Sequence, residues 1–421
     1  MKILWIVNTI FPYPAKKMNL IPSVFGGWLI SLMDGLTKRD EINELAIATV
    51  YGGKTLVKYK KDKITYYLLP NKNINKYDVE LEKIWPLIIK EFKPDVVHIH
   101  GTEYPHALAF LNSCPNQICC TSIQGLVSIC GKKENYNAGI TWKNCLQNIT
   151  LRDVLKNDLL LNQHKKFLER GIYEKEILIK SNLIIGRTSW DKAHAYEITK
   201  TEKYEICNES LRINFYNKNW DINNVEKHSI FVSQASYPLK GFHKVIEAAS
   251  LLLDKYPDLK IRVAGPDITK SNYSFKEKLK LSGYGNFIKK LIKKYKLQNH
   301  IEFLGLLNAD EMCNTLLNSN VYLQASSIEN SSNSLGEAML LGMPCIASYV
   351  GGTGDILLDK QEGFLYPFNE ISMMTKYITD IFENPNLAIE IGKNAKKHAK
   401  ITHSVEHNVN KIIKIYKKMR K

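Results

Sequence analysis

Short apolar runs alternate along this chain with longer amphipathic stretches, and the whole cycle occurs twice. Residues 3–7, 44–50, 64–69, 96–99, 118–123 and 183–186 are apolar runs that read as strands, while 29–36 and 79–92 carry apolar residues at helical spacing. The alternation restarts at 230–233 and continues through 260–264, 301–304, 321–324 and 344–348, with helical stretches at 242–256 and 309–317. Short strands separated by helices predict a parallel sheet with helices on both faces. Two such cycles in series predict an α/β protein of two doubly wound, Rossmann-like domains facing each other. Apolar periodicity is lost within about 208–228, where Asn, Lys and Asp are dense, so the linker is expected there and the domains at 1–215 and 216–403. The stretch 127–175 has helical pieces and no clear strand, and reads as an insertion that shapes a pocket or a surface contact.

The chain has 421 residues, room for two or three domains, and its 44% hydrophobic content excludes a mostly disordered protein. Lys and Arg number 58 against 42 Asp and Glu, a net charge of +16. Such a balance permits nucleic acid, an anionic membrane or a phosphorylated substrate as partner and does not choose among them. The eight cysteines form no CxxC pair and several lie in apolar runs, which suits buried thiols in a reducing cytoplasm rather than a zinc site. Lys2, the run 3–7, Asn8, Pro12 and Pro14 read as a first strand and its loop, not as a secretion signal. Nowhere is there an apolar run of about 18 residues, so no transmembrane helix is expected.

The chemistry concentrates in Ser327-Ile328-Glu329-Asn330-Ser331-Ser332-Asn333-Ser334-Leu335-Gly336-Glu337, where seven residues separate two carboxylates. The Ser/Asn run is good N-capping material, and Glu337 is expected in the first turn of the helix that follows. A helix start offers unpaired N–H groups and the positive end of a dipole to a phosphate. Two acceptor-only carboxylates around that anion site suit hydroxyl groups, and a nucleotide-sugar has both kinds of group. Acidic residues are favoured near helix starts in any case. Here, however, Gly336 permits close backbone approach, and Leu340-Leu341-Gly342-Met343-Pro344 runs straight into the next strand. The stretch resembles the EX7E signature of retaining family 4 glycosyltransferases of the GT-B fold, flanking residues included. The resemblance implies that Glu329 meets the hydroxyls of the donor sugar and that Glu337 accepts hydrogen bonds from the ribose. It also implies that Ser334, Leu335 and Gly336 offer N–H groups to the diphosphate or the sugar.

Other segments resemble the same family. Lys240-Gly241 precedes the helical stretch 242–256, where a Lys is slightly unfavourable for the helix dipole. The family's Lys at that place neutralises the leaving diphosphate. The Arg that usually precedes it is missing from Gln234-Ala235-Ser236, which makes Arg187 a candidate second cation. Gly26-Gly27, within Phe25-Gly26-Gly27-Trp28, resembles the glycine loop of the first domain. Gly265, at the end of the strand 260–264, and the loop from Gly351 to Asp355 are placed beside the donor. Alternation puts His98 and His100 on one strand face, and His100, at the strand's C-terminal end, is the better cleft residue, with Glu103 and His106 following. Gln124 stands where many members carry a His that contacts the donor sugar. It can hydrogen-bond but cannot carry a proton near neutral pH.

The implied protein is a cytoplasmic glycosyltransferase that retains anomeric configuration. Its donor is a nucleoside-diphosphate sugar, UDP-sugar favoured over GDP-sugar, and its acceptor a glycan or lipid-linked glycan in cell-surface polysaccharide synthesis. No metal is implied, since no DxD motif has a supporting context. The resemblance also implies that the C-terminal helix, 404–421, packs back on the first domain. The basic stretches 287–295 and 411–420 read as core-facing helices with a solvated Lys face, the alternative being contact with an anionic membrane. Rival readings are a nucleotide-sugar epimerase of the same fold and an inactive sugar-binding or anionic-membrane-binding relative. A nucleic-acid binder is disfavoured because no recognised motif for it occurs.

Overall fold

The computed structural model describes residues 1–24, 26–270 and 280–420; Phe25, quoted above with Gly26 and Gly27, lies outside the described residues. Its contacts cluster into two units, one of Met1–Ile129, Phe167–Arg212 and Thr402–Lys421 and the other of Cys130–Lys166 and Ile213–Ile401.

The first unit is built on β1 (Lys2–Val7), β2 (Glu44–Tyr51), β3 (Val57–Lys61), β4 (Ile64–Pro70), β5 (Val96–His100), β6 (Cys119–Ser122), β7 (Leu183–Gly186) and β8 (Tyr204–Ile206). The strand order is β3-β4-β2-β1-β5-β6-β7-β8, with β3 antiparallel to β4 and the other pairs parallel. β1 shows why such strands read as continuous apolar runs. Ile3, Trp5 and Val7 enter one core with Leu29, Leu32, Leu36, Ile412 and Tyr416, while Leu4 and Ile6 enter another with Trp85, Ile88 and Phe92. Alternation is present, but both faces are dry. The helix Val405–Arg420 buries Val409, Ile412, Ile413 and Tyr416 in the first of these cores, and the Trp5 indole N–H donates to the Tyr416 hydroxyl at 3.1 Å. Lys414, Lys417 and Lys418 lie on its exposed face.

The second unit holds β9 (Glu226–Val232), β10 (Lys260–Val263), β11 (Ile301–Phe303), β12 (Ser319–Gln324), β13 (Cys345–Ser348) and β14 (Phe364–Tyr366), all parallel in the order β11-β10-β9-β12-β13-β14. Both sheets are therefore doubly wound and Rossmann-like. The order reverses between β1 and β5 in one and between β9 and β12 in the other, and the crevice beyond the strand ends at such a point is where ligands bind.

Three strands were not legible as apolar runs. β3 is VKYKK, a polar edge strand, and β8 and β14 have three residues each. β9 begins inside the expected linker because its first residues, Glu226 and Lys227, are exposed. The segment Cys130–Lys166, expected within the first domain, clusters with the second unit. His243, on the helix Phe242–Leu252, ties it there: its Nε2 lies 2.8 Å from the Ala138 carbonyl, while its Nδ1 lies 3.3 Å from the hydroxyl of Tyr284 in the body of the second unit. That grouping depends on long-range polar contacts, which leave no periodic trace in the chain.

Candidate active site

In the second unit, three loops converge beyond β9, β12 and β13. After β9 the chain makes a 3-10 turn, Pro238–Lys240, and Gly241 opens the next helix at φ +66°. A Cβ there would sit 1.7 Å from the Ala325 carbonyl oxygen, so only glycine lets this turn close on the segment after β12. That segment is fixed further along. Ser327 N–H donates to the Leu239 carbonyl at 2.8 Å, and its hydroxyl reaches the carbonyls of Leu239 and Asn135. From the β13 side, Gly352 N–H donates to the Glu329 carbonyl at 3.0 Å. Gly351, at φ +53°, comes so close that a Cβ would lie 1.9 Å from the same oxygen.

This scaffold places Lys240 Nζ 2.8 Å from Glu329 Oε2 in a small pocket shared with Ser233, Gln234, Gln324 and Ser332. Both side chains are about one-fifth exposed. Burial alone would lower the Lys240 pKa. The Glu329 carboxylate, then the phenols of Tyr237 and Tyr322, outweigh it and hold the ammonium above the ordinary lysine value. A cation and a carboxylate paired at a switch point form a polar mouth able to exchange one partner for a phosphate and the other for hydroxyls.

The helix Asn333–Leu341 starts one full turn before Glu337, which corrects the expectation of a first-turn carboxylate. Ser332 is the cap. Its hydroxyl accepts from Leu335 N–H at 3.4 Å and its carbonyl from Gly336 N–H at 3.1 Å. Those two N–H groups are thus engaged by the cap, and the helix end proper lies at Asn333 and Ser334. Glu337 is 3% exposed. Gly265, at φ +110°, exchanges two backbone bonds with Gly305, so its own N–H is taken up beside β10.

The first unit's crevice is of another kind. Asn8, just after β1, donates from Nδ2 to Glu103 Oε2 at 2.7 Å, which joins the two strand ends of the switch point. Burial raises the Glu103 pKa, opposed first by hydrogen bonds from its own and the Gly125 backbone and then by Arg170 and Arg187. Sequence reasoning missed this role of Asn8; the signal for it is a polar residue directly after the first strand. Gly26, at φ +79°, caps the helix Gly27–Thr37, and a Cβ on Gly27 would meet the Arg212 side chain at 2.6 Å. His98 and His100 share a face as alternation requires, with ring centroids 3.7 Å apart. His98 lies 2.7 Å from both the Tyr416 and Ser122 hydroxyls. Both nitrogens of His100 are buried without a protein partner, and its ring lies against Trp5 and Trp28. Burial drives the His98 pKa down to about 3 and that of His100 well below its ordinary value, so both are neutral.

Gln124 and Arg187 are brought together by Glu209. Gln124 Nε2 donates to one Glu209 oxygen at 2.5 Å, Arg187 Nη1 to the other at 2.6 Å, and Arg187 Nη2 to the Gln124 carbonyl at 2.9 Å. Arg187, expected from the sequence as a second phosphate cation, is therefore buried and committed to a carboxylate of its own unit. Among the described residues, no group of three or more His, Cys, Asp or Glu side chains is placed to hold a metal.

Comparison with known proteins covers the stretch that carries Lys240, Glu329 and Glu337. Residues 213–398 match the family model "Glycosyl transferases group 1". YtcC of Bacillus subtilis (strain 168), provisionally named a glycosyltransferase, is 22% identical over 399 residues, covering 94% of this chain and 88% of that one. The poly(ribitol-phosphate) alpha-N-acetylglucosaminyltransferase of Staphylococcus aureus (strain COL) is 25% identical over 266 residues, 61% of this chain and 49% of that one. Among solved structures, sucrose-phosphate synthase from Thermosynechococcus elongatus superposes with a TM-score of 0.73 at 14% identity, over 100% of this chain and 99% of that one. Anabaena HepE in complex with UDP and glucose does so with a TM-score of 0.66 at 14% identity, over 98% and 99%. The fold is that of the GT-B glycosyltransferases, and residues 213–398 match the model of their group 1 family.

Proposed function

We propose that this protein is a retaining family 4 enzyme that moves a hexose from a UDP-sugar to a glycan or lipid-linked glycan in cell-surface polysaccharide synthesis. The observation that carries the reading is the Lys240–Glu329 pair at the mouth of β9 and β12. When the donor enters, Lys240 leaves Glu329 for the diphosphate and stabilises the charge that develops on it. Glu329 turns to the sugar hydroxyls, and Glu337 accepts from the ribose. The N-terminus at Asn333 and Ser334 adds its dipole to the phosphate, worth about 0.3–1 kcal/mol. Gly265 lines the donor side through its backbone. The C-terminal domain, 216–403, holds the donor. The N-terminal domain, 1–215, together with the helix 404–421, holds the acceptor through Gly26, Gly27, His100 and Gln124. Attack comes from the same face as departure, the leaving phosphate taking the acceptor proton, since Gln124, which stands where many members carry a His, cannot carry a proton near neutral pH.

UDP is favoured over GDP because the HepE neighbour is described with UDP and with UDP-glucose. A polymer acceptor is supported by the name of the Staphylococcus aureus relative. The enzyme would work in the cytoplasm, at or near the inner face of the membrane. The test is thermal stabilisation by a panel of UDP-, GDP- and ADP-sugars, with Glu337→Ala alongside. Stabilisation by UDP-sugars that Glu337→Ala abolishes is the expected result. No response to any donor would overturn the reading, and a response to GDP-sugars alone would overturn the choice of base.

A further inference from the structure

Cys130–Lys166 contains the densest exposed apolar surface of the described chain. Trp142 is 66% exposed, Leu146 47%, Ile149 43%, Leu151 49%, Val154 61% and Leu155 67%. These six occur within fourteen consecutive residues, whereas the other large exposed hydrophobics are scattered over the described chain in ones and twos. Their spacing explains the exposure. Trp142 and Leu146 share one face of the helix Trp142–Gln147, while Cys145 points inward. Leu151, Val154 and Leu155 share the outer face of the helix Leu151–Leu155, while Asp153 is buried and closes a capping box with Thr150. The segment is thus held from beneath by polar contacts and turns its apolar side chains outward. A water-exposed patch of this kind marks a contact site.

The rim of the patch identifies the partner. The helix Gly283–Lys294 packs beside it, with Lys290 Nζ donating to the Gln147 carbonyl at 2.9 Å and Asn286 Nδ2 donating to Asn148 Oδ1 at 3.3 Å. That helix buries Phe287, Ile288 and Ile292 and exposes Lys290, Lys293 and Lys294. Lys143 and Lys156 on the segment itself are exposed as well. Asp153 and Asp158 are already matched: Arg152 pairs with Asp153 at 3.3 Å and with Asp158 at 2.8 Å, and Lys166 pairs with Asp158 at 2.7 Å. Apolar side chains rimmed by lysines in excess over acids complement an anionic lipid surface, whose headgroups take the ammonium groups while its acyl boundary takes the Trp and Leu side chains. A second copy of this chain fits worse, because a two-fold contact would set the same lysine rim against itself. No helix among the described residues is long and apolar enough to cross a membrane.

We infer that the 142–155 surface, with the lysine face of the helix Gly283–Lys294, docks this protein on anionic membranes. The inference is independent of the sugar-transfer reading, because lipid binding is read with no donor present. The experiment is co-sedimentation of the full chain with vesicles of phosphatidylcholine alone or with roughly one-third phosphatidylglycerol. It compares the wild type with Trp142→Ser/Val154→Ser and with Lys293→Glu/Lys294→Glu. These side chains are exposed, so the melting temperatures should stay at the wild-type value. The expected result is sedimentation that needs phosphatidylglycerol and falls about tenfold or more in each double variant. No sedimentation, or sedimentation equal in wild type and variants, would overturn the inference. So would a wild-type dimer in sedimentation velocity that both variants abolish, which would assign the patch to self-association.

Discussion

The two switch points of this molecule are built from opposite materials. Beyond β9 and β12 stands an ionised pair, Lys240 and Glu329, about one-fifth exposed and gripped by backbone contacts at Gly241, Ser327 and Gly351. Beyond β1 and β5 stand the neutral His98 and His100, their ring centroids 3.7 Å apart, and the buried Glu103, whose pKa burial raises, while the neighbouring cation Arg187 is spent on Glu209. The same topology thus makes one crevice suited to a charged, exchangeable ligand and another suited to uncharged hydroxyls. The lesson is that a doubly wound sheet specifies where a ligand goes and leaves its chemistry to the loops.

Removing the charge from the second-unit crevice should have the largest effect. Lys240→Met is expected to cut the turnover of sugar transfer about a hundredfold, the cost of losing one preorganised charge on a leaving group. The check is initial-rate kinetics with UDP-sugar, and an unchanged turnover would end the distinction between the crevices. Next in size is Gly351→Ala. Its Cβ meets the Glu329 carbonyl at φ +53°, and the strain and displacement should cost about 2–3 kcal/mol. Urea unfolding would measure that loss, and donor-induced stabilisation should vanish with it.

Acid should strike the neutral crevice. His98 and His106 have folded pKa values lowered to about 3 and about 4, and that of His100 lies well below the ordinary 6.5. Their unfolded forms take up protons as pH falls through 6.5 while the folded forms do not, so stability drops, by about 1.4 kcal/mol for each imidazole one pH unit below that value. Glu174 opposes them. Burial raises its pKa to about 7, so between 4.5 and 7 the folded state holds a proton that the unfolded state releases, and stability rises as pH falls through that window. These four groups together give a net loss of about 2 kcal/mol from neutral pH to about 5.5, and the buried His243, its pKa lowered to about 4, adds about 1 kcal/mol, measurable by urea unfolding at the two pH values. The smallest effect belongs to Gln124→Ala, which removes one charge-assisted bond to Glu209 and should cost about 1–2 kcal/mol in the same assay.

Much of this was legible from residue order alone. Continuous apolar runs mark strands buried on both faces, and most strands, including β1, β5, β9 and β12, were found within a few residues. Glu329, Lys240 and Gly351 were legible because loops at strand ends must solve local problems, a cap, a positive φ or a charge near a helix start, with particular residue types. Three-residue edge strands such as β14 carry too few positions to show a period.

By itself the sequence determined two doubly wound sheets, their approximate strands and the two carboxylates seven residues apart. It also determined that the basic stretch 411–420 has an apolar face. Tertiary structure alone decided that Arg187 belongs to Glu209, that Lys240 meets Glu329, that Cys130–Lys166 joins the second unit, and that Trp142 and Leu155 are left exposed. The reason is physical. Periodicity reports the neighbours a residue has along its own helix or strand. A charge finds its partner, and an apolar side chain its cover or its lack of one, only when distant segments are brought into contact.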